Sequence, residues 1–257
     1  MLFQPTPGAT FVALARDYPD GAHVPSHRHA TAQLLYAARG LMRLVSAKGA
    51  WVIPPTRAVW IPPRVEHEIF MSGAVQMRTL YLASAPAGLE TCCVLSVTPL
   101  LRELILRAIH LEQRPGEDAV SALVQALTLH EIAALERMPL HLPMPVDRRL
   151  QSICRALLES PEHPYTLEDW GQRVGASSRT LARLFAQELG MGFSEWRQQL
   201  RLTEALPRLL AGDSVQRVAQ DLGYGSARAF SAMFHRLLGE NPRDYLARLG
   251  RLAEVRP

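Results

Sequence analysis

A chain of 257 residues, 48% hydrophobic and 20% charged, can bury two modest cores, which excludes a disordered or fibrous protein and favours a two-domain one. Its formal charge of +4 is too small for charge alone to identify a nucleic-acid binder. Cys92, Cys93 and Cys154 lack metal or redox spacing, no apolar run reaches the length of a membrane span, and the start carries no basic-then-apolar leader, so a reduced, cytoplasmic protein without a membrane partner is expected.

The first 90 residues read as β structure. Apolar or alternating runs at 11–14, 33–37, 41–45, 51–53, 59–61, 68–70 and 75–82 are separated by turn formers such as Pro19-Asp20-Gly21, Arg39-Gly40 and Lys48-Gly49. Many short strands at this spacing predict an all-β sandwich or barrel. Pro54-Pro55 and Pro62-Pro63 mark strand ends or edges, where no ladder donor is needed.

His27, His29, Thr31 and Gln33 alternate, so one strand would carry all four on one face, which in a small barrel can point inward. His67 follows Pro62 five residues later. This pattern resembles the cupin family: Gly21, five residues, His27-x-His29, three residues, then Gln33 where the family carries glutamate, and later Gly40. In the second motif Thr56 and Arg64 stand where the family has glycines and Met71 where it has asparagine, while His67 keeps its place. The resemblance implies a metal ligand set of His27, His29, Gln33 and His67. Three imidazoles and an amide suit zinc, iron, nickel or copper, so a divalent transition metal is the candidate cofactor. Alternatively the histidines line an organic-ligand pocket or satisfy core hydrogen bonds. The candidate effector pocket is His27, His29, Gln33, Tyr36, Trp60 and His67, with Trp51 and Phe70 as further aromatic walls.

Residues 98–137 change period. Thr98 precedes Leu100, Leu101, Leu104, Ile105, Ala108 and Leu111, Arg114-Pro115-Gly116 breaks the run, and Val120, Leu123, Val124, Leu127, Ile132 and Leu135 resume it. The spacing predicts two amphipathic helices in a hairpin that covers the barrel, forms a dimer interface, or does both. Residues 1–138 are thus an effector-binding and dimerisation domain, and the proline-rich 139–146 reads as a semi-extended interdomain linker.

From Asp147 onward 16 arginines face 13 acidic residues, so most of the small positive excess lies in the third domain segment, 147–257. Within it, residues 166–245 write one helix-turn-helix pattern twice. Trp170 and Val218 correspond at an offset of about 48, while Phe185 and Phe234, Gly190 and Gly239, and Trp196 and Tyr245 correspond at about 49, so the second turn is one residue longer. Each copy starts at a polar cap (Thr166 with Asp169, a capping-box pattern; Ser214), turns at a glycine, and restarts at an N-cap serine, Ser177 or Ser226. The face of the second helix not used for packing carries Ser178, Arg179, Thr180 and Arg183 in one copy and Ala227, Arg228, Ser231 and His235 in the other. Such side chains reach base edges and phosphates from a helix in the major groove. Between the copies, residues 194–210 predict one helix, with Pro207 as a source of kinking.

The second copy, with Leu222-Gly223-Tyr224-Gly225-Ser226, Ala229-Phe230-Ser231-Ala232-Met233-Phe234 and Gly239-Glu240-Asn241-Pro242-Arg243-Asp244-Tyr245, resembles the AraC/XylS family of bacterial transcription regulators, and the likeness extends back to Asp147. It implies seven helices, of which the third (178–189) and sixth (227–238) read adjacent major grooves. Arg179, Arg183 and, more loosely, Arg228 match base-contacting positions, and Ala232 stands where many members carry a contacting arginine. The fold class expected is therefore multidomain: an all-β cupin-like barrel with a helical hairpin, then an all-α domain with two helix-turn-helix units.

The function expected is a non-enzymatic, sequence-specific regulator that binds an operator in double-stranded DNA, is modulated by a small-molecule effector that a metal can help hold, and forms a homodimer, with RNA polymerase a further candidate partner. The competing readings are a metal-dependent cupin enzyme with an accessory DNA-binding domain and a constitutive DNA-binding protein with a vestigial barrel.

Overall fold

The structure, a computed structural model, describes residues 10–83, 86–113, 118–138 and 140–254; the expected break at Arg114-Pro115-Gly116 lies outside them. By contact the chain forms two units, Met1–Ala47 with Trp51–Met138, and Lys48–Ala50 with Pro139–Pro257.

The first unit holds β1 (Phe11–Tyr18), β2 (His23–His27), β3 (Ala32–Ser46), most of β4 (Gly49–Ile53), β5 (Arg57–Ile61), β6 (His67–Leu82), β7 (Cys93–Ser96) and β8 (Arg137–Met138). The order is β1-β6-β3-β5-β7-β8, with β2 also on β6 and β4 also on β3. The runs expected separately at 33–37 and 41–45 are one 15-residue strand, and those at 68–70 and 75–82 are one of 16. Gly40 explains the difference. It takes φ +75°, and a Cβ there would lie 2.6 Å from the Ala74 carbonyl oxygen, so it serves a bulge where β3 and β6 shift register between Ala37 and Leu41. A bulge glycine and a turn glycine look alike in sequence. The strands β2, β7 and β8 were not foreseen as such.

Pairing fixes the faces. Gln33 sits opposite Ile61 on β5 and Tyr81 on β6, so its neighbours Ala32, Leu34 and Tyr36 point the other way. These pack with Ala58, Trp60, Leu80 and Leu82 against α1 (Pro99–Glu112), which contributes Leu101, Ile105, Ala108 and Ile109 to one buried cluster. Each fully buried leucine or isoleucine there contributes roughly 1.5–3 kcal/mol. Thr98 caps α1 by accepting from the Leu101 N–H at 3.1 Å. Helix α2 (Asp118–Ala133) adds Ile132 to that cluster but leaves Val120, Leu123 and Leu127 exposed, Leu123 at 72%.

Among the described residues the second unit contains β9 (His141–Pro143) and seven helices: α3 (Arg148–Glu159), α4 (Leu167–Val174), α5 (Ser178–Leu189), α6 (Phe193–Leu210), α7 (Val215–Asp221), α8 (Ala227–Leu238) and α9 (Pro242–Glu254). The proline-rich segment forms β9 over His141–Pro143, and from Leu140 onward it is not free. Leu142 joins the core of Leu150, Ile153, Cys154, Leu157, Trp170, Leu181, Phe185 and Trp196. The Trp196 indole N–H donates to the Pro143 carbonyl at 2.8 Å, and Glu188 accepts from the Val146 and Asp147 N–H groups. Helix α6 runs through Pro207, which falls in its last turn, where little helix follows to be deflected.

Candidate DNA-binding surface and histidine cluster

The two helical pairs are built by the same local rules. Thr166 and Asp169 form the full capping box, each side chain accepting from the other's backbone N–H, at 3.2 and 2.8 Å. Ser214 caps α7, and Ser177 and Ser226 cap α5 and α8 by accepting from Thr180 and Ala229 at 3.2 Å. Gly175 and Gly223 turn each pair at φ +67° and +75°, while Gly190 and Gly239 end α5 and α8 in the left-handed region. Leu181, Phe185 and Leu189, and Phe230, Met233, Phe234 and Leu238, are buried.

Burying those stripes leaves the opposite faces outward. Ser178, Arg179 and Arg183 are exposed on α5, and Thr180 is half-buried, its hydroxyl 2.9 Å from that of Ser177. Arg183 donates to Gln187 one turn on, at 3.1 Å, which leaves the rest of its guanidinium for a ligand. On α8, Arg228 and His235 are exposed and Ala227 and Ser231 half-buried. Several other arginines of this unit are engaged internally: Arg149 with Asp147, Arg208 with Asp213 and Asp221, and Arg248 with Glu240. Neither Arg179 nor Arg228 has an ion pair among the described residues.

In the first unit His27, His29 and His67 converge, but not as one strand face. His27 ends β2 and faces His67, which begins β6; His29 and Thr31 lie in the connection, and Gln33 is on β3. Ring centroids are 4.3 Å apart for His27–His67, 4.8 Å for His27–His29 and 5.7 Å for His29–His67. Tyr36 and Trp60 are not with them: they sit across the sheet in the core beneath α1, and the Trp60 indole donates to the Leu89 carbonyl at 2.7 Å. The pocket expectation for these two fails on strand parity, Tyr36 being three residues from Gln33.

Sequence reasoning missed Tyr81, which meets His29 edge-on at 5.0 Å and lies opposite Gln33. Only the β3–β6 register reveals it. Its hydroxyl is pushed up to about 12 by burial and stays protonated.

The cluster has the chemistry of a metal site. The Nδ1 atoms of His27 and His67 lie 2.8 and 2.9 Å from the Pro25 and Val65 carbonyls, so each donates there and presents Nε2 as a bare lone pair. His67 Nε2, both His29 ring nitrogens and Gln33 Oε1 are buried without a hydrogen-bond partner. That argues against histidines that merely satisfy core hydrogen bonds, since a buried unpaired polar atom costs about 1–3 kcal/mol. Burial, and then the charges of the neighbouring histidines, hold His29 down to about 4; burial likewise holds His67 at about 4, so both are neutral at pH 7 as ligation requires. One donor nitrogen from each of the three lies within 4.8 Å of the others. Two nitrogens on one tetrahedral zinc are about 3.4 Å apart, so the rings would draw in slightly on binding.

The backbone also keeps two left-handed positions. Thr56 and Arg64 have φ +69° and +64°, alone among the described non-glycine residues. They are the two positions where the cupin motif has glycine. The Arg64 N–H donates to the His29 carbonyl at 2.7 Å, tying that turn to the cluster.

No helix among the described residues is long and apolar enough to cross a membrane. Residues 170–248 match a helix-turn-helix domain family. The chain is 37% identical over 227 residues to the HTH-type transcriptional regulator NimR of Escherichia coli, covering 88% of this chain and 83% of that protein. It is 31% identical over 128 residues to a protein of Streptomyces antibioticus described as an AraC-like transcription regulator, covering 49% of this chain and 42% of that one. A distant likeness in structure is to ToxT of Vibrio cholerae, at TM-score 0.40 and 11% identity over 93% of this chain and 98% of that one. The chain belongs to the AraC family of helix-turn-helix transcriptional regulators.

Proposed function

We propose that this regulator reads a specific operator through α5 and α8, and that a small molecule bound beside the histidine cluster of the β unit sets its occupancy. The observation that carries the first part is the pair of capped helices whose buried stripes leave Arg179, Arg183, Arg228 and His235 outward. The second part rests on the unpartnered donors of His29, Gln33 and His67. The left-handed Thr56 and Arg64 support a cupin-like barrel around them, and the three histidines with Gln33 hold a divalent transition metal there. The exposed Val120, Leu123 and Leu127 of α2 support pairing of two copies through that helix. The protein acts in the cytoplasm, with no enzymatic turnover, and RNA polymerase is a partner on the promoter.

An effector acts only through different affinities for two arrangements of the protein. The test is a mobility shift with DNA flanking the protein's own gene at fixed salt, with a metabolite panel and with added zinc or nickel. A specific shift that one compound strengthens or abolishes supports the reading; a specific shift that nothing alters leaves a DNA-binding protein with a vestigial barrel.

A further inference from the structure

The donor set of the cluster is neutral throughout. Among the described residues no aspartate or glutamate is buried in either unit; the buried polar and charged side chains are His29, Gln33, Arg57, His67, Thr79, Thr128, Gln199, Arg201 and Thr203. The carboxylates nearest in sequence are turned outward and engaged. Glu66 accepts from the Ser26 hydroxyl at 3.1 Å, and Glu68 pairs with His23 at 3.0 Å. Where a carboxylate would offset a cation's charge, the chain has Gln33, 2% exposed, whose amide oxygen can ligate but brings no charge. A divalent ion held by three imidazoles and an amide keeps its full positive charge in a buried site, which is costly without a counter-ion.

Two further buried hydroxyls neighbour the cluster along the chain and the sheet. Thr31 lies between His29 and Gln33, and its Oγ1 is buried and unpartnered; so is that of Thr79, two residues from Tyr81 on the same face of β6. Such groups donate to the oxygens of an anion.

We infer that the effector is a small organic anion, a carboxylate, which completes the coordination of the metal and supplies the charge that Gln33 does not. This rests on the metal reading given above. Metal and anion then bind with positive linkage, each raising the other's affinity by the same factor. Half-buried His27 leaves one side of the cluster toward the surface for the anion's entry.

The experiment uses the full chain loaded with cobalt(II) in chloride-free buffer, with azide and acetate as probe anions and visible absorption as the readout. Expected are a cobalt band shifted saturably by either anion and cobalt affinity raised about tenfold at saturating anion, within the usual range of coupled sites. Gln33→Glu supplies the charge internally, so it should bind cobalt about tenfold tighter without anion and lose most of the anion dependence. His67→Ala serves as the metal-free control, with circular dichroism to establish that each variant is folded. If cobalt binds but neither its spectrum nor its affinity responds to azide or acetate, the inference is wrong and the metal reading stands. If the wild-type chain takes up no cobalt with or without anion, both fall.

Discussion

Gly171→Ala tests the packing of the first helix-turn-helix. In an exposed helix this change stabilises by about 1 kcal/mol. Here an added Cβ would lie 2.4 Å from the Ala176 carbonyl oxygen, a backbone atom that must move by close to 1 Å to restore an ordinary carbon–oxygen contact. Overpacking of this kind costs about 1–3 kcal/mol, so after the helix-propensity gain of about 1 kcal/mol the net loss expected is about 0–2 kcal/mol. The corresponding position of the second copy is Ala219, which is fully buried. In both copies the turn closes by an equivalent 2.9 Å bond, Ala176 N–H to the Gly171 carbonyl and Tyr224 N–H to that of Ala219. Displacing Ala176 also displaces the Ser177 cap and the start of α5, so DNA affinity falls with stability. Urea unfolding of the full chain, followed by thiol labelling of Cys154 in the same core as Trp170, reads the effect. A rise in stability of about 1 kcal/mol would refute the packing argument.

Other outcomes follow from the same structure. Arg183→Ala should weaken operator binding by about 1–3 kcal/mol and relax sequence preference; a uniform loss on all DNA would make Arg183 a phosphate contact. Arg64→Gly should stabilise the β unit by about 0.5–1 kcal/mol in denaturant unfolding, since the exposed arginine is held at φ +64° and the N–H bond to His29 survives the change. Cys154, fully buried with its thiol pushed up to about 12, should resist thiol reagents until the helical unit unfolds, whereas Cys92 and Cys93, both half-buried, label in the native state. Ser226→Ala should cost about 1 kcal/mol by removing the α8 cap, and should lower DNA affinity with it.

The helical half was legible because its signals are local. Caps at Thr98, Asp147, Thr166, Ser177, Ser214 and Ser226 sit one residue before α1, α3, α4, α5, α7 and α8, and the bounds of α5 and α8 that the family resemblance implied are those observed. The β half depends on pairing between distant residues. Gly40 reads as a turn until β6 is seen to run past it, and Tyr81 enters the cluster only through its register with Gln33. Tyr36 and Trp60 illustrate the converse, since aromatic character suggested a pocket and parity sent them under α1. The docked 140–147 segment was hidden for the same reason: its hold on Trp196 and Glu188 is long-range.

The central claim, sequence-specific reading by α5 and α8, is tested most directly by selecting bound duplexes from a random-sequence pool with the wild-type chain and with Arg179→Ala/Arg183→Ala. The account predicts an enriched site with two sequence blocks about one helical turn (~34 Å) apart, one block losing its preference in the double variant. Enrichment of no sequence, or of a site the double variant selects unchanged, would contradict it.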